Sequence, residues 1–176
     1  KFLQGGVDKG KMTAKQKAAI LSRIHGTTKL ADLADCDLVV EAAIENIAAK
    51  HEVFAALDAA CGPNAIFASN TSSLSITEMA AKTKRPTRFV GLHFFNPVPL
   101  MQLVEVVKTP MTDPAVFAEI EAFAVKLPKV VVTAQDTPGF VVNRLLVPYL
   151  LDAIRVLESG VATKEDIDNG MKLGCG

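Results

Sequence analysis

From Asp37 onward, apolar positions fall into short blocks that alternate between two periods. Asp37 to Ala43 (DLVVEAA), Ala65 to Ser69 (AIFAS) and Phe89 to His93 are apolar runs of strand length, while Ala48 to Cys61 and Ser75 to Lys82 repeat at helical spacing. Strand, helix, strand, helix, strand implies right-handed crossovers and a parallel sheet, so the fold class is α/β. Ser75 with Glu78 forms a capping box that marks where the second helix starts. Farther on, Leu103 to Val107 predicts a covered strand broken only by Glu105. Asp113 to Phe123 predicts a helix with Pro114 in its first turn, and Lys129 to Thr133 a final strand. Phe140 to Leu157 is apolar nearly all round, with Pro138 ahead of it and Pro148 inside it. That pattern predicts a kinked helix buried on several sides. Thr163 to Leu173, opened by Thr163 and Asp166, is a further helix.

The start of the chain is less patterned. Lys1 to Gly10 carries little periodicity, although Lys1 reads as mid-helix. Thr13 to Ile24 predicts a helix with Ile20, Leu21 and Ile24 on one face, and Gly26 to Leu30 a strand. Gly5, Gly6 and Gly10 follow no strand and lack the G-x-G-x-x-G order, so they do not read as a phosphate loop. The expected boundary lies at Ala134 to Gly139 (AQDTPG). It divides an α/β domain over 1–135 from the start of an all-helical domain over 136–176. Two helices cannot complete a helical domain, so the sequence is expected to be a fragment.

Composition adds exclusions. With 49% apolar and 22% charged residues the chain reads as an ordinary globular protein rather than a disordered one. Lys plus Arg and Asp plus Glu number 19 each, so no global field favours nucleic acid or a membrane surface. No apolar run approaches the ~18 residues of a membrane span. Cys36, Cys61 and Cys175 are odd in number, far apart and without metal-ligand spacing, which suits a reducing cytoplasm.

Candidate chemistry gathers around His93 and Glu105, each inside a run that reads as buried. Asn96-Pro97-Val98-Pro99 forces a turn between the two strands. If the strands fold back about residue 99, positions 93 and 105 fall opposite each other. A carboxylate there would fix the imidazole tautomer and stabilise its charged form, the requirement for a general base. A histidine capping a strand end beside a glutamate at a sheet edge is the alternative. Ligands of parallel sheets bind outside the carboxyl ends of the strands. Those ends carry Ile44-Glu45-Asn46, Asn70 to Ser73, and His93 to Asn96. Asn143, early in the long helix, can face back towards them or be satisfied within the helical segment.

Several strings together carry a family resemblance over nearly the whole chain: ASNTSSL at 68–74, GLHFFNPVP at 91–99 with LVE at 103–105, DTPGFVVNR at 136–144, and EDID at 165–168 with MKLG at 171–174. The chain resembles the L-3-hydroxyacyl-CoA dehydrogenases, and among them the bacterial short-chain 3-hydroxybutyryl-CoA dehydrogenases. The resemblance implies a Rossmann-like, doubly wound, mostly parallel sheet, here incomplete, followed by the start of an all-α domain. It implies NAD-linked, reversible oxidation of a 3-hydroxyacyl-CoA in fatty acid and butyrate metabolism. His93 would be the catalytic base and Glu105 the carboxylate that orients it. Ser72 and Asn143 would hold the substrate oxygens, while Glu45, Lys50, Ser72 and Asn96 would contact the dinucleotide. A homodimer or higher homo-oligomer through the C-terminal helices is also implied. The family's opening G-x-G-x-x-G segment and the rest of its helical domain are not in this sequence. A non-catalytic assembly module built on the Phe140 to Leu157 helix is the competing expectation.

Overall fold

Successive strand residues point to opposite faces of a sheet, and the five strands here sort their side chains accordingly. β1 (Leu38–Glu41), β2 (Ile66–Ser69), β3 (Phe89–Phe94), β4 (Leu103–Lys108) and β5 (Val130–Gln135) lie side by side in that order. β1, β2 and β3 are parallel, β4 runs back against β3, and β5 is parallel to β4. The computed structural model describes residues 2–175. Its helices are α1 (Phe2–Asp8), α2 (Ala14–Leu21), α3 (Ile47–Ala60), α4 (Ile76–Ala81), α5 (Pro114–Val125), α6 (Val142–Glu158) and α7 (Lys164–Gly174).

Two apolar layers result. Phe67, Phe89 and Val107 project to one face, where Phe54 and Leu57 of α3 and Ile76 and Met79 of α4 cover them. Ile66, Ala68, Val90, Leu92, Val104 and Val106 project to the other, against Val116, Ile120 and Ala124 of α5. By the same parity His93 shares a face with Phe89 and Gly91, and Glu105 shares one with Val107. Both therefore point to the α3 and α4 side. Gly91 is what lets α4 lie so close: a Cβ there would stand 2.8 Å from Val107 Cβ and 3.1 Å from Ile76 Cδ1.

Local capping follows the sequence pattern in part: Ser75 accepts the Glu78 amide, but no Glu78 side-chain bond returns to the Ser75 backbone, so the capping box expected at α4 is half formed. Asn46, Ser75, Asp113 and Thr163 each accept a backbone amide at the start of α3, α4, α5 and α7. α2 has a full capping box between Thr13 and Gln16, and it ends at Leu21, so Ile24 lies beyond it.

Two expectations need correction. Gly26 to Leu30 forms no strand. Leu30–Leu33 is a short 3-10 helix and β1 pairs with β2 alone, because a strand without a neighbour has no ladder to hold it. The long apolar helix is not buried on several sides. No residue of α6 is buried, and it runs from Val142 to Glu158 through Pro148. Phe140, expected to open that helix, lies before it in a left-handed conformation (φ 48°) and is itself buried in the core.

Candidate active site

The hairpin arithmetic holds: His93 stands opposite Glu105 in the β3–β4 ladder. His93 Nδ1 lies 2.8 Å from Glu105 Oε2, with the two residues 4% and 0% exposed. Glu105 Oε1 accepts the backbone amides of Val141 (3.1 Å) and Val142 (3.0 Å) at the start of α6. A carboxylate collecting two amides acts as an acceptor, so Nδ1 carries the proton and donates, leaving Nε2 of the neutral ring as an acceptor. Among the described residues Nε2 has no hydrogen-bond partner. The ring is held between Phe95 and Phe140, at centroid distances of 4.5 and 5.7 Å.

The neighbouring loop, between β2 and α4, is tied from below. Glu45 Oε1 accepts the Thr71 hydroxyl (2.5 Å) and the Ser72 amide (2.9 Å), and its other oxygen faces Lys50 Nζ at 3.4 Å. Burial pushes the Glu45 carboxyl up, but the hydrogen bonds from Thr71 and Ser72, with the Lys50 charge, hold it below the ordinary glutamate value. Lys50 is 1% exposed and pairs at 2.7 Å with buried Glu41, which also accepts the Ser69 hydroxyl. Its ammonium therefore faces the protein interior rather than the cleft. Ser72 itself is exposed, and Asn143 Nδ2 donates to its carbonyl at 3.3 Å. Asn96 is exposed on the loop after β3, joined to Pro97 by a cis peptide.

Between these parts opens a cleft of about 760 Å³ lined by Ser72, Ser73, Pro138, Gly139, Asn143 and Arg144, among others. Ser72 and Asn143 both line this cleft, and the segment between Gly139 and Asn143 reaches the His93–Glu105 pair through the Phe140 ring and the Val141 and Val142 amides. Two further contributors, Asn70 at a strand end and Asp136 at the domain boundary, carry no assigned role in the sequence reading. Asn70 Oδ1 accepts the Phe94 amide (2.8 Å) and anchors the end of β3, and Asp136 accepts the amides of Ile76 and Thr77 at the start of α4. Both are short polar residues in loops, a type too common there to stand out. Among the described residues no cluster of His, Cys, Asp and Glu could hold a metal ion.

Comparison with known proteins matches residues 1–137 to the family model "3-hydroxyacyl-CoA dehydrogenase, NAD binding domain", and residues 139–176 to the C-terminal domain of the same enzymes. The chain belongs to the 3-hydroxyacyl-CoA dehydrogenase family. It is 56% identical over 157 residues to the mitochondrial hydroxyacyl-coenzyme A dehydrogenase of Homo sapiens, covering 89% of this chain and 50% of that protein. It is 51% identical over 176 residues to a 3-hydroxybutyryl-CoA dehydrogenase of Mycobacterium tuberculosis, covering 99% and 62%. The crystal structure of (S)-3-hydroxybutyryl-CoA dehydrogenase from Ralstonia eutropha superposes with a TM-score of 0.96 at 47% identity, over 98% of this chain and 61% of that one. The chain thus spans half to about three-fifths of the length of these relatives. The Rossmann-like sheet followed by helices is the architecture that family membership calls for.

Proposed function

We propose that the protein carrying this chain interconverts 3-hydroxyacyl-CoA and 3-oxoacyl-CoA with NAD, and that its substrates are short, 3-hydroxybutyryl-CoA foremost. The observation that carries the reading is the buried His93–Glu105 pair, whose ring packs against Phe140 and whose carboxylate accepts the Val141 and Val142 amides, in the segment that joins Gly139 and Asn143 of the cleft wall. In the oxidative direction His93 Nε2 takes the hydroxyl proton as hydride leaves C3, and Glu105 with the two α6 amides stabilises the imidazolium. In the reductive direction the same nitrogen returns the proton. The Ser72 hydroxyl and the Asn143 amide hold the substrate oxygens, which sets the distance to His93.

NAD, when bound, supplies the hydride acceptor. The residues present suit its nicotinamide end. Exposed Ile44 offers an apolar surface, the Ser72 hydroxyl and Asn96 amide offer polar contacts, and all three sit at the carboxyl ends of parallel strands. Glu45 and Lys50 serve this edge by holding the Ser72 loop. We assign the α/β domain to 1–135 and the helical segment to 136–176. A second copy would cover α6 in a homodimer or higher homo-oligomer. The free thiols fit a reducing compartment such as the cytoplasm, while the human relative is named as mitochondrial.

The test is reduction of acetoacetyl-CoA by the full-length protein, followed by NADH absorbance. His93→Ala is expected to lower kcat at least about 100-fold. A rate left unchanged by that substitution would refute the mechanism. Comparing acyl chains of increasing length in the same assay decides the preferred substrate. An assembly module without redox chemistry is the second reading, favoured by the exposed apolar surface of α6. It predicts self-association with no turnover.

A further inference from the structure

The cleft has two walls drawn from distant parts of the chain. Ser72 and Ser73 form one, while Pro138, Gly139, Asn143 and Arg144 form the other. How far apart the walls stand decides whether an oxygen held at Ser72 comes within reach of His93. Direct contact between them is thin, since the Asn143 amide reaches the Ser72 carbonyl at 3.3 Å and must also serve substrate.

A stronger tie lies behind them. Asp136 Oδ2 accepts the Thr77 amide (2.7 Å) and the Ser75 hydroxyl (3.1 Å), and Oδ1 accepts the Ile76 amide (3.2 Å). Ser75 Oγ still accepts the Glu78 amide at 3.1 Å, so Asp136 is added to an existing helix cap rather than replacing it. On its other side the Asp136 amide donates to the Lys108 carbonyl at 2.9 Å, at the end of the strand that carries Glu105. Beyond it Gly139 (φ 79°) and Phe140 (φ 48°) turn the chain, aiming the Val141 and Val142 amides at Glu105. At Gly139 a Cβ would stand 2.9 Å from the Arg144 nitrogen, so the turn is closely packed.

We infer that Asp136 is a positioning residue: one carboxylate pins the start of α4 to the end of β5 and so sets the spacing between Ser72 and the His93–Glu105 pair. The inference rests on the proposed roles of Ser72 and His93. Asp136 touches no substrate and acts through Ser72. A cap that only stabilised α4 would change the folded fraction and leave kcat per folded site alone.

A double-mutant cycle in the full-length protein separates the two, with kcat for acetoacetyl-CoA reduction counted per NADH-binding site. Asp136→Ala is expected to lower kcat by roughly 10- to 100-fold, because a displacement near 1 Å is enough for such a loss, with KM for NADH within about twofold of the parent. In a Ser72→Ala background the same change should cost less than about threefold, since its effect is exerted at Ser72. Asp136→Asn, which keeps the shape and one acceptor, should recover part of kcat. Equal losses in both backgrounds, or a lower Tm with kcat per site unchanged, would overturn the inference. Hydrogen exchange gives a readout independent of turnover: the Ile76 and Thr77 amides should lose protection in Asp136→Ala, and unchanged protection also overturns it. A folded wild-type protein that binds NADH yet never reduces acetoacetyl-CoA would overturn the proposed function and this inference with it. An active wild type with an indifferent Asp136 would overturn the inference alone.

Discussion

Glu105 serves three donors at once: the His93 ring and the first two amides of α6. Taking a carboxylate out of water costs several kcal/mol, and hydrogen bonds to both of its oxygens offset that cost here. Glu45 shows the same logic nearer the surface. Burial raises its affinity for a proton, but Thr71, Ser72 and Lys50 lower it and win, so its pKa falls on folding. As pH drops, the unfolded chain takes up the proton first. The stability Glu45 contributes is therefore whole above about pH 4.3 and is lost as pH falls through the depressed folded value. Glu45→Gln should remove that contribution, so the stability gap between parent and variant should narrow as pH falls from about 5 to about 3 in urea unfolding. The side chain is 42% exposed, so the gap should not exceed about 1 kcal/mol. The family resemblance implied a dinucleotide contact for Lys50, but nothing in the sequence showed that the side chain is buried. A lysine reads as solvated until Glu41 is seen beside it.

Among the elements, the β3–β4 hairpin was the most legible. Antiparallel pairing about a tight loop is a matter of counting, and 93 with 105 followed from the prolines between them. The packing of α4 on β3 was not, because it depends on what a glycine leaves open. Gly91→Ala should destabilise the fold by about 1–3 kcal/mol, read as a lower urea midpoint, because its new methyl meets Val107 Cβ and Ile76. Shortening Val107 to alanine should bring no rescue, since the obstructing atom is the Cβ itself. The strand expected over Gly26 to Leu30 failed for a related reason. Only Leu30 of that stretch is a large apolar residue, and among the described residues it has no ladder partner.

At the scale of the whole molecule, the feature to be accounted for is α6. Leu145, Leu150 and Ile154 are 70%, 50% and 51% exposed, an apolar surface larger than a lone helix pair can cover. None of the described helices is long and apolar enough to cross a membrane. If a second copy covers this surface, Leu150→Lys with Ile154→Lys should weaken self-association by at least about tenfold, the equivalent of about 1.4 kcal/mol. Sedimentation of the full-length protein over a concentration series checks this, and an unchanged association constant would remove the dimer reading while leaving the active site intact.

What the sequence determined by itself was order and facing. Periodicity assigned strands and helices, parity placed His93 and Glu105 on one face, and six strings of residues marked the family. What only the tertiary structure decided was who stands opposite whom across the layers: Asp136 against the start of α4, the Val141 and Val142 amides against Glu105, Lys50 against Glu41. The reason is physical. A side chain's period along the chain reports the face it occupies, whereas a backbone amide is the same group in every residue but proline, and its partner is chosen only when distant segments pack.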